Sequence, residues 1–223
     1  MTDVWDGVNG RRTGRAATDY DAYAAKMRGL VASGRDMEAD ARFVDTLVPR
    51  GAVILDVGCG IGSAVAALRE RGHEAFGVDP TPAVLEVATQ SHDPAWFRKA
   101  AAADLSLRKF GLVDLPKSYD AVMVSGNVPA FLTDAELGGV FDLAAEILVP
   151  AGQLVIGTTT QARGGPATQD ELAVGAGLGL SHRFSDWHLG AFCDSSPWSV
   201  SVFTNPGARR ATFGPDGMFI LNS

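Results

Sequence analysis

A chain of 223 residues with 46% hydrophobic and 20% charged side chains has room for one domain and a substantial core, and lies outside the composition of disordered proteins. Its formal net charge of -7 repels phosphate backbones, which argues against a nucleic-acid partner; its two cysteines, Cys59 and Cys193, supply neither a disulfide framework nor a cysteine zinc site. No apolar run reaches the roughly 20 residues that span a bilayer, and the polar stretch 1–15 has no signal-peptide core, so a cytoplasmic protein with no membrane partner is expected.

Residues 1–16 read as a flexible leader, with Arg11, Arg12 and Arg15 as solvated charges. From Ala17 to Ser33, Tyr20, Tyr23, Met27 and Leu30 recur at helical spacing until Gly34 interrupts them. Glu38 to Val48 predicts a second helix, closed by Pro49. These two helices make 17–48 a cap placed ahead of the main fold. Val53 to Val57 is a β-branched run of the kind buried on both faces of a parallel sheet. A helix over Gly62 to Arg71 follows, then a strand over Glu74 to Val78. Thr81-Pro82 opens the next helix, with proline in its first turn.

Trp96 to Ala101 reads as the third strand and Ala121 to Val124 as the fourth. Thr133-Asp-Ala-Glu136 is a capping box, and the helix it opens aligns Leu137, Val140, Phe141, Ala144, Ile147 and Leu148 on one stripe. Pro150-Ala-Gly152 ends that helix before a fifth strand, Gln153 to Thr159. Thr168-Gln-Asp-Glu171 repeats the capping signature ahead of a helix that fades into glycines. Leu180 to Trp187 and Trp198 to Thr204 are two strands with no helix between them, which predicts an antiparallel pair. The whole pattern is α/β, a doubly wound, mostly parallel seven-stranded sheet with an antiparallel C-terminal hairpin. The single domain spans 17–204, and the tail 205–223, with Arg209 and Arg210, has no assigned role.

The chemistry concentrates in Asp56-Val-Gly58-Cys-Gly60-Ile-Gly62, which follows an apolar strand and opens a helix, the context a nucleotide-binding loop requires. Glycines at alternate positions let the backbone turn tightly and let a ligand lie against it. Asp79, at the end of the next strand, is placed to accept from both hydroxyls of a ribose. The spacing lacks the third glycine of the dinucleotide fingerprint, and no Gly-Lys-Ser/Thr phosphate loop occurs.

The run VILDVGCGIG (53–62) closely resembles the first motif of class I S-adenosylmethionine-dependent methyltransferases. Gly77-Val-Asp79-Pro80 is similar to that family's ribose-binding segment, and Ala102-Ala103-Asp104-Leu105 to its adenine-contacting segment. Tyr119 to Asn127 resembles the fourth-strand motif. The resemblance covers about residues 38 to 204. It implies S-adenosyl-L-methionine as cofactor, S-adenosyl-L-homocysteine as product, and the family's Rossmann-like sheet.

Carried over by position, Gly58, Gly60 and Gly62 flank the methionyl part with Cys59 between them, and Asp56 lies near its amino group. Asp79, followed by Pro80, holds the ribose. Asp104 accepts from the adenine amino group, with the backbone of Ala103 and Leu105 beside it, and Ser125 and Gly126 lie beneath the methionine moiety.

Alternatives stand beside these roles. Asp56 would otherwise cap loop amides, Asp104 an N-terminus, and Cys59 would be a small buried filler rather than a nucleophile. Tyr20 and Tyr23 either cover the sulfonium through a cation–π contact or simply dock their helix. Asn127 sits where an acceptor would approach, or stabilises its turn; His188 is a candidate general base. No catalytic residue and no metal ligand is assigned. Methyl transfer to a small molecule is the expected function, with a non-catalytic S-adenosylmethionine-binding module or an NAD-dependent oxidoreductase as alternatives; acceptor atom and oligomeric state are left open.

Overall fold

The computed structural model describes residues 4–6, 11–13, 22, 25–26, 29–30, 32–106, 108, 110 and 114–206. Within the segment read as a leader, β1 (Val4–Asp6) and β2 (Arg11–Thr13) pair antiparallel. The described residues between 22 and 32 are helical, while Tyr20, Tyr23 and Met27 fall outside the described residues. Helix α1 (Ala39–Leu47) follows and buries Ala41, Phe43 and Val44.

The regular alternation begins with β3 (Val53–Val57), α2 (Ser63–Glu70), β4 (Glu74–Asp79) and α3 (Pro82–Ser91). Strand β5 (Phe97–Lys99) is shorter than the expected Trp96 to Ala101, because the 3-10 turn Pro94–Trp96 takes its start. Then come β6 (Tyr119–Val124), the short α4 (Val128–Phe131), α5 (Asp134–Ile147), β7 (Leu148–Thr159), α6 (Pro166–Gly175), β8 (Gly179–Phe184) and β9 (Trp198–Thr204).

The seven main strands are ordered β5-β4-β3-β6-β7-β9-β8. Pairing is parallel from β5 to β7, and β9 runs antiparallel between β7 and β8. Because side chains alternate across a strand, each central run feeds two cores. Leu55, Val57, Val122, Val124, Leu154 and Ile156 meet α5 through Leu137, Phe141 and Ile147. Ile54, Ala121, Met123 and Val155 meet α1 and α2 through Phe43, Val44, Val65 and Leu68. Among the described residues no helix is long and apolar enough to cross a membrane.

Three further boundaries differ from expectation for local reasons. β7 starts at Leu148, directly after α5, because Leu148 pairs with Tyr119 before the register shifts to Ala121 opposite Gln153. Pro150-Ala-Gly152 is therefore an irregularity inside the strand rather than a loop ahead of it. Helix α6 starts at Pro166 behind an extended Gly165, which places Thr168 inside the first turn instead of at the cap. β8 stops at Phe184 because the Asp186 carboxylate gathers the amides of His188 and Gly190 into a tight turn.

The capping box of α5 forms as expected: Thr133 Oγ1 accepts from the Glu136 amide at 3.2 Å, and Glu136 Oε2 accepts from the Thr133 amide at 2.7 Å. Thr133→Ala is expected to cost about 1 kcal/mol, lowering the melting temperature by about 2–4 °C in a thermal melt.

Candidate active site

The winding of the sheet reverses between β3 and β6, and beyond the carboxyl ends of the parallel strands at this point opens a cavity of about 820 Å³. The β3–α2 loop forms its floor. Gly58, Gly60 and Gly62 all have positive φ, at 86°, 55° and 80°, a region where a Cβ is strained. A side chain on Gly58 would run into Val128. On Gly60 it would meet nothing within 4 Å, because that glycine leaves bare backbone facing the cavity.

Gly62 serves a different purpose from the one expected of it. It does not line the cavity; a Cβ there would lie 2.6 Å from the Phe97 ring, so this glycine lets α2 pack on β5.

The loop is held by the neighbouring strand. The Gly58 and Cys59 amides donate to the Val78 carbonyl at 2.8 and 3.1 Å. Asp79 completes the clamp: its Oδ2 accepts from the Gly60 amide at 3.1 Å and its Oδ1 from the Thr81 amide at 2.8 Å. Burial pushes the Asp79 carboxyl up, and these amide bonds pull it back. Cys59 packs against Gly77, where a Cβ would come within 2.7 Å of its sulfur, and burial drives its thiol well up, so it lines the cavity as an inert filler.

Asp56 is the most unusual side chain of the site. It is 2% exposed and its Oδ1 has no hydrogen-bond partner. Burial is the largest cause of a carboxyl pKa raised well above its usual value, and the nearby carboxylates of Asp40 and Asp79 add to it. A buried acceptor with nothing to accept from is rare unless a ligand supplies the donor. Asp40, on α1, is also pushed up by burial, against the pull of hydrogen bonds from the Ser125 hydroxyl and the Ala41 amide.

Pro80, Ala103, Asp104, Ser125 and Gly126 line the cavity. Leu105 does not: its side chain packs on the core and its amide donates to the Ala102 carbonyl within a 3-10 turn. Tyr20 lies outside the described residues. Asn127 lines the cavity, but its Oδ1 accepts from the Thr159 amide at 2.8 Å and from Thr158 Oγ1 at 3.1 Å, tying its left-handed turn to β7. His188 is exposed and is not among the lining residues, although it lies close enough to the lining residue Asp36 to help lower that carboxyl.

The far wall consists of Phe131, Trp187 and Trp198 together with the 36–40 stretch of α1 and its approach. Trp187 lies over Gly157, where any Cβ would overlap its ring, and meets Phe43 edge-on at 5.6 Å. Nothing in the motifs of the sequence marks Asp40 or Glu136 as lining residues. Asp40 sits in an otherwise ordinary amphipathic helix, and Glu136 in a capping box. Among the described residues no cluster of side chains suits a metal ion.

A Rossmann-like sheet with this loop, this acidic clamp and this cavity defines the class I methyltransferase fold. The family profile described as a methyltransferase domain matches residues 54–152. A TehB-like SAM-dependent methyltransferase from Corynebacterium glutamicum is 30% identical with a TM-score of 0.73, over 83% of this chain and 97% of its own. The sugar N-methyltransferase KedS8 from Streptoalloteichus is 20% identical (TM-score 0.60) over 82% of this chain and 92% of its own.

The glycopeptide N-methyltransferase MtfA, solved with S-adenosylmethionine, is 12% identical (TM-score 0.60) over 75% of this chain and 93% of its own. The last two similarities show the fold alone. No curated protein matches the chain. The chain belongs to the S-adenosylmethionine-dependent methyltransferases, so it is an enzyme whose cofactor is S-adenosylmethionine. That membership sets aside the oxidoreductase and non-catalytic alternatives.

Because burial raises the Asp56 carboxyl, the folded chain holds its proton where the unfolded chain has released it. Asp56 therefore costs stability as pH climbs above the ordinary carboxylate range. At pH 7 Asp56→Asn is expected to raise the melting temperature of the ligand-free protein by about 2–4 °C, the shift about 1 kcal/mol produces at this size. The same variant is expected to bind S-adenosylhomocysteine about tenfold more weakly or worse by calorimetry, an exchange of function for stability.

Proposed function

We propose that the cavity holds S-adenosylmethionine over the ends of β3 and β4 and delivers its methyl group to a small molecule bound over the ends of β6 and β7. The observation that carries this reading is the orphaned Oδ1 of Asp56 and the bare backbone of Gly60 in one cavity: a buried carboxyl that gives up its proton when a cation arrives and a side-chain-free shelf suit an aminoacyl ammonium. In this reading Asp56 binds that ammonium. Asp79 keeps the loop in register and uses its remaining lone pairs on the ribose hydroxyls. Ala103 and Asp104 face the adenine, and Cys59, Pro80, Ser125 and Gly126 complete the walls.

The bound cofactor supplies a sulfonium-activated methyl for in-line displacement. The protein's task is then placement and exclusion of water, and placement alone can contribute about 7–11 kcal/mol. Trp187, Trp198 and Phe131 wall the acceptor half and keep it dry, while α1 closes the opposite side.

A volume of about 820 Å³ falls within the range of small-molecule sites. The sugar and glycopeptide substrates in the names of two structural neighbours agree with acceptors of that scale. Two free cysteines, Cys59 and Cys193, agree with a cytoplasmic location.

Titration with S-adenosylhomocysteine and, separately, with NADH tests the cofactor reading, and tight binding of NADH alone would overturn it. Radiolabelled methyl donor incubated with fractionated metabolites tests the acceptor reading; label that appears only in protein or nucleic acid would refute it. Gly60→Ala is expected to fold, at a cost of about 1–2 kcal/mol for the left-handed backbone, yet to lose S-adenosylhomocysteine binding, because the new methyl group occupies the shelf. Unchanged affinity in that variant removes Gly60 from the cofactor site.

A further inference from the structure

Six carboxylates line the cavity, those of Asp36, Asp40, Asp56, Asp79, Asp104 and Glu136, and among the described residues no lysine, arginine or histidine does. Most of that charge is already committed. Asp36 is clamped by Arg42, whose guanidinium donates to both its oxygens and holds its carboxyl well below the usual range. Glu136 is bound into the capping box by the Thr133 amide and hydroxyl. Asp79 holds two loop amides, Asp56 faces the cofactor's ammonium, and Asp104 sits on the 3-10 turn after β5, at the adenine end.

Asp40 is what remains. Its described donors are the Ser125 hydroxyl, the neighbouring Ala41 amide and its own backbone amide, all neutral. From α1 it reaches Ser125, the residue after β6, in the cavity that Trp187, Trp198 and Phe131 also line. The indole Nε1 of Trp198 is itself buried with no partner.

We infer that the acceptor is an amine carrying an apolar group, with Asp40 binding its ammonium and taking its proton while the aromatic wall holds the apolar part. A carboxylate with only neutral described donors, in a cavity with aromatic walls and no basic side chain among the described lining residues, attracts a cation by ion pairing and by the ring faces, and repels a carboxylate or phosphate. Burial raises the Asp40 carboxyl, and the same desolvation, with a sulfonium nearby, lowers an amine; the two approach each other and proton transfer becomes feasible.

The step balances. The substrate ammonium gives one proton to the Asp40 carboxylate, and the freed nitrogen lone pair forms the new N–C bond. The C–S bond breaks with its electron pair going to sulfur. The product leaves as a methylammonium, and Asp40 returns its proton to solvent.

This inference rests on the cofactor reading above, so its test begins with protein saturated with S-adenosylhomocysteine, which checks that reading by itself. Onto the complex are titrated two probes of one skeleton, phenethylamine and 3-phenylpropionate. The amine is expected to bind about tenfold tighter or more than the acid, and Asp40→Asn to abolish most of that preference, while Asp40→Glu retains it. Equal binding, tighter binding of the acid, binding of neither probe, or an undiminished preference in Asp40→Asn would overturn the inference. Should Asp40→Asn fail to fold, the wild-type preference and its retention in Asp40→Glu decide the matter.

Discussion

The carboxylate of Asp79 joins two pieces of backbone that a nucleotide site must hold together. It accepts from Gly60 in the loop after β3 and from Thr81 at the start of α3. Parallel pairing brings this about, since β3 and β4 run in register with Asp56 opposite Gly77 and Val57 opposite Val78, so both strands end side by side. Gly77 keeps the spacing tight by leaving room for Cys59. A loop whose three glycines all take left-handed φ would be costly to order by itself, and the charged hydrogen bonds from one buried aspartate fix it before any ligand arrives.

The order of the sheet divides labour between its two halves. On the β3-β4-β5 side, backbone geometry and acidic side chains form a shelf. On the β6-β7-β9 side, α1, the 125–132 segment and two tryptophans form a wall. The proposed acceptor side is thus built largely from elements outside the central sheet.

How much of this can be read from the sequence follows from the range of the interactions. The runs of β3 and β9 and the α5 capping box are set by local periodicity and by pairs three residues apart, and they appear where the pattern places them. The loop side of the cavity is readable for the same reason: Asp56, Gly58, Gly60 and Asp79 each sit at or just past the end of a strand, where a short motif fixes backbone shape. Gly62 and Leu105 are the failures within those motifs. One answers to Phe97, 35 positions along the chain, and the other to its own turn. Asp40 and Trp187 belong to the acceptor wall through contacts between distant segments, and no local spacing encodes them. The second capping signature, at Thr168, misleads because Pro166 fixes the helix start first.

One contact has a practical use. Trp187 rests on the flat backbone of Gly157 and touches Phe43, and Trp198 lies beside it on the cavity wall, whereas Trp96 packs against Arg69 away from the cavity. Two of the chain's four indoles thus stand on the cavity wall and form an intrinsic optical label, whose share of the emission responds to what fills that side with no dye attached.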